Sequence, residues 1–315
     1  MKRNLLVLLL LVSLSAAAQR QITVAKDSTG DYNTIQEALN AIPSPNNVPV
    51  IINVKAGIYK ERVTVDSGKN FISIKGDPKN KTMITFAYHS GSVLYNGDTL
   101  NTWNCATFFV FANDFKAENI HFQNDAGFYA GQAVAVRAHG NRISFFNCAI
   151  TGFQDVLFLS GSDVKHYFEN CYIEGTTDFI FGAATAVFKN CRIHSKKNSH
   201  VTAASTNISV PYGFVFFDCN LTGDDNLDNV SLGRPWRPAS SVTYINCQMG
   251  KHIIPGGWNN WKKPEIETTA RYAEYNSTGP GANPVSRVKW SKQLTKEEVK
   301  NYSLKNILGN WNPQR

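Results

Sequence analysis

Residues 146–150 read Phe-Asn-Cys-Ala-Ile, and variants of this phrase recur through the middle of the chain. The later copies are Glu169-Asn170-Cys171-Tyr172-Ile173, Lys189-Asn190-Cys191-Arg192-Ile193, Phe217-Asp218-Cys219-Asn220-Leu221 and Ile245-Asn246-Cys247-Gln248-Met249. The cysteines are therefore separated by 23, 20, 28 and 28 residues. A period of about 20 to 28 residues that carries short alternating strands is typical of a solenoid, in which equivalent positions of successive coils stack in columns.

The segments around these copies supply strands that are too short to build a sandwich core alone, such as Ile143–Phe146, Tyr167–Phe168 and Phe214–Phe217. Stacking one coil on the next gives each strand a partner about 4.8 Å away. Side-chain amides of the asparagine column can form a ladder of hydrogen bonds from coil to coil. The apolar column beside the asparagines is expected to face the interior.

The composition narrows the class of protein. The chain has 315 residues, of which 43% are hydrophobic and 18% charged, and this excludes a disordered chain and supplies enough apolar side chains for one large core. The formal net charge of +8 indicates an acidic partner, for which nucleic acid, an anionic surface and an acidic polysaccharide are all candidates.

The first residues predict a cleaved export signal. Lys2 and Arg3 precede the apolar run Leu5–Val12, and the small residues Ala16–Ala18 end it. A transmembrane anchor is disfavoured because the run is well short of the roughly 20 residues that span a bilayer. We therefore expect residues 1–18 to be removed and residues 19–315 to form one exported domain, periplasmic or extracellular, without a membrane anchor.

The cysteine column has two interpretations. Disulfides fit an exported chain with an even count of six cysteines. However, stacked Cβ atoms that point in parallel would lie about 4.8 Å apart, beyond the usual disulfide separation of about 3.5–4.5 Å. Buried thiols that act as small apolar groups fit this geometry better. Cys105 lies outside the repeated phrase.

Two segments carry helix-start signals. Residues 33–36, Asn-Thr-Ile-Gln, resemble a capping box that opens a helix stopped by Pro43. The apolar face of that helix would contain Ile35, Ala38, Leu39 and Ile42. Thr295 with Glu298 opens another helix near the C-terminus. Because a solenoid has open ends, both helices are expected to plug the core.

The repeat also places polar residues that could take part in a reaction at equivalent positions of adjacent coils. Asp155 and Asp178 each lie seven residues after the cysteine of their coil, and Gln132 and Gln154 are 22 residues apart. Side-by-side carboxylates repel, so one can hold a proton while the other is ionised. They could then act as acid and nucleophile, with the glutamine amides as donors to an oxyanion. A polar ladder that only stabilises the solenoid fits the spacing equally well.

Aromatic residues surround the two aspartates. Phe158 and Phe181 are predicted to line a carbohydrate-binding groove, although the same pattern is compatible with core positions.

These blocks together resemble those of a known family, the pectin methylesterases. The matching segments, in the expected order, are Gly57–Glu61, Gln132–Arg137, Gln154–Phe158, Ile173–Gly182, Leu232–Trp236, Ala273–Tyr275 and Thr278–Ala282. The resemblance extends over roughly residues 22–311. It implies an all-β, single-stranded right-handed parallel β-helix with short capping helices, in agreement with the repeat.

The resemblance also implies residue roles. Asp178 corresponds to the nucleophile, Asp155 to the general acid and base, and Arg234 to the arginine that keeps the nucleophile ionised. The remaining matches are Gln132 and Gln154 as oxyanion donors, Trp236 as an aromatic wall for the sugar ring, and Thr102 as a substrate contact. Phe158 stands where many relatives carry tyrosine, so a hydroxyl group near the sugar is missing.

The implied activity is hydrolysis of the C6 methyl esters of pectin, with no metal or organic cofactor. A polyanionic galacturonate chain accounts for the positive charge, so nucleic acid is not expected as a partner, and we expect a monomer. A serine esterase is disfavoured because the chain has no Gly-x-Ser-x-Gly motif. The alternatives are a pectate lyase or polygalacturonase, a noncatalytic pectin-binding β-helix, and a family member that acts on another ester or thioester.

Overall fold

A computed structural model describes residues 20–314, so the predicted export signal lies outside the described residues. The described chain forms the predicted right-handed parallel β-helix, in which successive coils add strands to three sheets. Short strands joined by turns stack in parallel register, for example Ile143–Phe146 on Lys165–Glu169. Within residues 20–314, no helix is long and apolar enough to cross a membrane.

Strands are numbered in chain order. The first sheet contains β1 (Arg20–Val24), β2 (Val50–Val54), β5 (Ile72–Gly76), β8 (Phe115–Glu118), β11 (Ile143–Phe146), β14 (Lys165–Glu169), β17 (Thr185–Lys189), β20 (Phe214–Phe217), β23 (Ser241–Ile245), β25 (Arg271–Tyr275) and β26 (Lys292–Gln293). The second contains β3 (Gly57–Lys60), β6 (Thr82–Phe86), β9 (His121–Asn124), β12 (Ala149–Thr151), β15 (Tyr172–Gly175), β18 (Arg192–Ser195), β21 (Asn220–Gly223) and β24 (Gln248–Met249). The third contains β4 (Val63–Val65), β7 (Phe108–Val110), β10 (Val136–Ala138), β13 (Leu157–Leu159), β16 (Ile180–Gly182), β19 (His200–Ala204) and β22 (Ser231–Gly233).

The core is built from columns of equivalent side chains. An aromatic column runs through five successive coils, with ring centroids 4.4–4.9 Å apart and planes within 11° of parallel. Its members are Phe145, Phe168, Phe188, Phe216 and Tyr244. The ring spacing matches the distance between neighbouring parallel strands, so each coil sets the position of the next.

The cysteine column is buried, and all six cysteines of the chain are free. Each thiol of the column lies 3.3–3.5 Å from the carbonyl oxygen two residues before it. The interpretation as buried thiols is therefore confirmed. Stacking places the thiols as interior apolar groups, and the alternative of disulfide bridges is excluded.

The asparagine column has a backbone role. Asn119, Asn147, Asn170, Asn190, Asp218 and Asn246 all adopt φ between 52° and 57°. Asparagine and aspartate tolerate this left-handed conformation better than other residues with a Cβ, so they form the corner between first-sheet and second-sheet strands. Their peptide N–H groups donate to the next coil, as from Asn147 to the Glu169 carbonyl at 3.0 Å. The predicted side-chain ladder is present among the described residues at one rung, from Asn276 to Asn246.

The N-terminal end is closed by helix α1 (Ile35–Asn40). The capping box is formed by Thr34 and Glu37, one residue later than predicted, because Thr34 provides the extended N-cap. Glu61 accepts hydrogen bonds from the next two free N–H groups, those of Ile35 and Gln36. The apolar face of α1 packs into the core as predicted, although Ile42 lies beyond the end of the helix.

The C-terminal helical segment differs from its prediction. Thr295 and Glu298 do exchange capping hydrogen bonds, but they open a 3-10 helix, Glu298–Tyr302, and a short α-helix, α2 (Leu304–Leu308), follows. Two other 3-10 helices are Pro264–Thr268 and Pro284–Ser286. Ile307 and Leu308 of α2 pack on the side of the first sheet, against Tyr167, Val187, Val215 and Ile245. These side chains alternate with the inward aromatic column, so they need cover on the outer face, and α2 provides it.

Candidate active site

Asp155 and Asp178 occupy equivalent positions of adjacent coils. Each lies two residues before a strand of the third sheet, and the strands β13 and β16 pair with Leu157 opposite Ile180. Both aspartates are buried and have left-handed backbone, with φ of 62° and 50°. The peptide N–H of each donates to the following coil, to the carbonyl oxygens of Thr177 at 3.0 Å and His200 at 2.8 Å. The side-by-side placement predicted from the repeat is therefore confirmed.

Arg234 distinguishes the two carboxylates. Its Nε lies 2.9 Å from Asp178 Oδ1 and its Nη2 lies 2.6 Å from Asp178 Oδ2, a two-pronged pair that fixes the plane of the carboxylate. The guanidinium carbon of Arg234 lies 3.6 Å from the ring centroid of Trp261, so the indole ring also contacts the guanidinium group and helps to hold it in place.

The two carboxylates titrate differently. Burial, followed by the charge of Asp178, raises the pKa of Asp155 well above its ordinary value. Burial also raises the pKa of Asp178, but the hydrogen bonds and charge of Arg234 oppose that rise. The asymmetry favours a proton on Asp155 and a negative charge on Asp178, which is the division that acid and nucleophile require.

Gln132 and Gln154 lie on the same face. They pair through a parallel bridge, and the N–H of Ala133 donates to the Gln154 carbonyl at 3.0 Å. Both side chains line a cavity of about 300 Å³ together with the two aspartates and Arg234. The structure thus brings together all five residues that the sequence assigned to catalysis.

Aromatic rings form the floor and walls of this cavity. Phe158 and Phe181 are buried and stack at 4.3 Å, and Trp236 stands edge-on to Phe181 at 6.1 Å. Thr102 also lines the cavity. Phe158 and Phe181 are therefore buried side chains that also line the cavity, and their contact with a carbohydrate stays a prediction.

Three lining residues were missed by the sequence reasoning: Trp103, Ala203 and Trp261. Trp103 is adjacent to Thr102, and its position beside a candidate contact is the signal that could have identified it. Trp261 lies in an irregular stretch after β24, where the repeat no longer assigns positions. Its left-handed backbone, with φ of 60°, turns the ring towards Arg234.

The assembled groups are those of acyl transfer: a carboxylate held by arginine, a second carboxyl group that favours its protonated form, and two amides beside them. Fold and site together define a carboxylic ester hydrolase built on a parallel β-helix. The sequence model of the family described as Pectinesterase matches residues 21–310. The chain belongs to the pectinesterase family.

Named relatives agree with this assignment. The chain is 37% identical to Pectinesterase 31 of Arabidopsis thaliana over 288 residues, covering 90% of each protein. It is 38% identical over 304 residues to a pectinesterase/pectinesterase inhibitor of Brassica campestris, covering 91% of this chain and 52% of that protein. The chain thus spans about half the length of relatives of the second kind.

Solved structures share the fold. The pectin methylesterase from carrot superposes with a TM-score of 0.85 at 32% identity, covering 93% of this chain and 94% of the carrot chain. A pectin methylesterase in complex with a hexasaccharide superposes with a TM-score of 0.83 at 28% identity, covering 94% of this chain and 99% of that one.

Proposed function

We propose that this protein hydrolyses the C6 methyl esters of pectin and releases methanol, with Asp178 as nucleophile and Asp155 as general acid and base. The observation that carries the proposal is an asymmetry between equivalent positions. Two buried carboxylates lie in register on adjacent coils, and the two-pronged hydrogen bonds of Arg234 go to Asp178. A ladder that only stabilised the solenoid would give no reason for this difference.

The first step forms an acyl-enzyme. One carboxylate oxygen of Asp178 attacks the C6 carbonyl carbon of a methyl-esterified galacturonate unit, and the side-chain amides of Gln132 and Gln154 donate to the developing oxyanion. The bond from C6 to the methoxy oxygen then breaks. Asp155, in its protonated form, gives its proton to that oxygen, and methanol leaves.

The second step regenerates the enzyme. The intermediate is an anhydride between C6 of the sugar and Asp178. Asp155, now ionised, accepts a proton from a water molecule, whose oxygen attacks C6. The bond from C6 to the Asp178 oxygen breaks, so the product carboxylic acid leaves and both aspartates return to their starting states.

The cavity suits a sugar of this kind. Trp236 and Trp261 contribute aromatic surface to the cavity, with one face of Trp261 covered by Arg234, and Thr102 adds a hydroxyl group. Without residues 1–18, which contain Lys2 and Arg3, the net charge falls from +8 to +6, and this positive charge attracts a chain that becomes more anionic with each ester removed. A similar fold has been solved with a hexasaccharide bound, which supports an oligosaccharide as the ligand.

The decisive experiment measures methanol release from highly methylated pectin. Asp178→Ala and Asp178→Asn should retain the fold by circular dichroism and lose nearly all activity, because neither side chain can form the anhydride. Asp218→Asn is a matched control, since Asp218 has φ of 54° but lies outside the cavity, and it should keep full activity. Substantial turnover by Asp178→Asn would remove Asp178 from the nucleophile role.

The same assay separates the rival functions. Binding of pectin without methanol release would identify a noncatalytic β-helix. Shortened chains or unsaturated products would identify a polygalacturonase or a lyase. Hydrolysis of other esters or thioesters, with pectin left intact, would redirect the substrate assignment.

We also propose that residues 1–18 are removed on export and that residues 19–315 act as a monomeric catalytic domain. The charged start, the short apolar run and the small residues that end it support this proposal. Sequencing the N-terminus of the mature protein from its native host tests the cleavage, and light scattering of the purified protein tests the oligomeric state.

A further inference from the structure

One wall of the cavity is an irregular loop, residues 101–106, which precedes β7. Thr102 and Trp103 of this loop line the cavity, and the Trp103 side chain is 50% exposed. A loop without a strand lacks the ladder of backbone hydrogen bonds that fixes the rest of the third sheet. Its own Asn101 and Asn104 side chains form turns within it, and the buried Cys105 and Ala106 anchor its end. Side chains that reach it from neighbouring coils supply its remaining hydrogen bonds.

Arg137 of β10 holds the loop from one side. Its Nη1 donates to the carbonyl oxygen of Trp103, and its Nε donates to Ser160 Oγ at 3.1 Å. The guanidinium carbon lies 5.3 Å from the ring centroids of both Trp103 and Phe158, and 5.4 Å from that of Phe111. Arg137 thus packs beside two cavity-lining rings, Trp103 and Phe158, which also contact each other edge to face at 4.9 Å.

Arg62 holds the loop from the other side. Its Nη2 donates to the carbonyl oxygen of Asn104 at 2.7 Å, and its Nε donates to that of Ala106 at 3.4 Å. The rings of Tyr88 and Phe109 flank the guanidinium group at 5.3 and 5.4 Å. Three of the six loop carbonyls therefore bind arginine.

The two arginines share an uncommon environment. Both are half-buried, and within residues 20–314 neither forms an ion pair with an acidic side chain. Burial lowers the pKa of both, although an arginine remains protonated at any physiological pH. A half-buried cation without a carboxylate loses hydration, which the loop carbonyls and the ring faces must replace.

We propose that Arg137 and Arg62 are positioning residues that clamp the 101–106 loop and so set the affinity of the cavity for the sugar chain. Neither residue lines the cavity, so the chemistry at Asp178 is left unchanged. The clamp acts through Trp103, whose ring packs against Arg137 and whose carbonyl oxygen accepts a hydrogen bond from it. The inference rests on the proposed function in taking methylated galacturonate as the substrate.

The test compares Arg137→Gln, Arg62→Gln and Arg137→Lys with the wild type in methanol release from methylated galacturonate oligomers. We expect KM to rise about tenfold in both glutamine variants, with kcat within twofold of the wild type. Lysine keeps the charge but cannot serve Trp103 and Ser160 together, so Arg137→Lys should fall between. Arg192→Gln is the matched control, because Arg192 also contacts a ring, that of Tyr172 at 5.7 Å, on another sheet.

A double-mutant cycle with Trp103→Ala identifies the route of the effect. If Arg137 acts through Trp103, the KM of Arg137→Gln/Trp103→Ala should equal that of Trp103→Ala within twofold. Independent, multiplicative effects would overturn the proposal, as would an unchanged KM or a fall in kcat alone. Should Arg137→Gln not fold, the cycle is run with Arg137→Lys.

A binding measurement separates this inference from the proposed function. If the wild type releases no methanol, the proposed esterase function is wrong. The dissociation constant for the same oligomers would still show whether Arg137 and Arg62 affect binding. A tenfold weaker binding in the glutamine variants would support the clamp, and unchanged binding would reject it.

Discussion

Arg234 and Arg287 each grip a carboxylate with the same two nitrogens, one beside the cavity and the other near the C-terminal end of the β-helix. Arg287 Nε lies 2.7 Å from Glu274 Oε1, and its Nη2 lies 2.9 Å from Oε2. Its other hydrogens bind the carbonyl oxygens of Ile254, Pro255 and Gly281. The Arg287 and Glu274 side chains are only 2% and 4% exposed, whereas those of Arg234 and Asp178 are 21% and 9% exposed.

The Arg287–Glu274 and Arg234–Asp178 pairs share the same two-pronged geometry, but their surroundings differ. Around Arg287 each charge has several partners, and the indole N–H of Trp258 also donates to Glu274 at 3.2 Å. The described hydrogen bonds of the Arg234 side chain go to Asp178 alone, and a second carboxyl group, Asp155, lies on the adjacent coil. A fully partnered pair holds the fold together, whereas a pair with one unsatisfied side can use its charge on a substrate.

Breaking the fully buried Arg287–Glu274 pair should have the largest effect on stability. Arg287→Met leaves the Glu274 carboxylate and several carbonyls buried without partners, and we expect a loss of about 3–5 kcal/mol in the free energy of unfolding. Urea unfolding followed by circular dichroism measures it. Lys300→Met, which breaks an exposed ion pair with Glu297, should change stability by less than about 0.5 kcal/mol. Equal effects of the two substitutions would contradict the comparison.

Breaking the Arg234–Asp178 pair beside the cavity should instead lower the rate of methanol release. Arg234→Gln removes the charge that opposes protonation of Asp178, and we expect kcat/KM for methanol release to fall about 100-fold. The free energy of unfolding should change by less than about 1 kcal/mol, because Asp178 can take up a proton when its partner is removed. A destabilisation as large as that of Arg287→Met would show that both pairs are structural.

The pH dependence of activity is a second test of how Arg234 acts on Asp178. On the proposed roles, Asp178 acts when ionised, so activity should rise with pH through its pKa, and it should fall again as Asp155 loses its proton at higher pH. Arg234 opposes the rise in the pKa of Asp178. Its removal therefore raises that pKa further, and the acid limb of Arg234→Gln should move to higher pH. Initial rates of wild type and variant between pH 4 and 8, normalised to their maxima, test the shift.

The smallest expected effect is a gain in stability. Burial raises the pKa of Asp155, so the folded state loses stability as pH rises above the unfolded-state value of about 3.9. An asparagine side chain at this position would stay neutral, and we expect Asp155→Asn to be more stable than the wild type at pH 7. Urea titrations at pH 7 and pH 4 measure the difference, which should vanish at the lower pH. A variant that is less stable at both would contradict the assigned pKa direction.

The repeat allowed much of the fold and part of the site to be predicted from sequence. In a parallel β-helix, counting residues from a fixed point in the coil gives a position in space, so equal counts placed Asp155 beside Asp178. The roles of Arg234 and Trp236 came from family resemblance, because their coil has no neighbouring copy of the same motif. Trp261 was missed since it lies where the repeat ends.

Other features of the fold depend on long-range contacts, or on alternatives that a local sequence pattern does not separate. The start of α1 was misplaced by one residue because Asn33 and Thr34 are both good N-cap residues, and the reach of Glu61 to the helix start is a long-range contact. Helix α2 was placed at the end of the solenoid, but the outer apolar face of the first sheet lies more than 50 residues earlier in the chain and attracts it. The asparagine column was predicted to form a side-chain ladder, but the described residues show one rung of it, and the main role of the column is to provide the left-handed backbone of the corner.

That conformational role has a consequence for the aspartates. Asp155 and Asp178 share with the corner asparagines the left-handed backbone that asparagine adopts readily, and the corner column itself already interchanges the two residues at Asp218. The fold should therefore accept asparagine at positions 155 and 178 without backbone strain. On the proposed roles, a single amide substitution would convert this esterase into a stable lectin-like binder, so that catalysis could be lost in evolution while the scaffold and its groove persist.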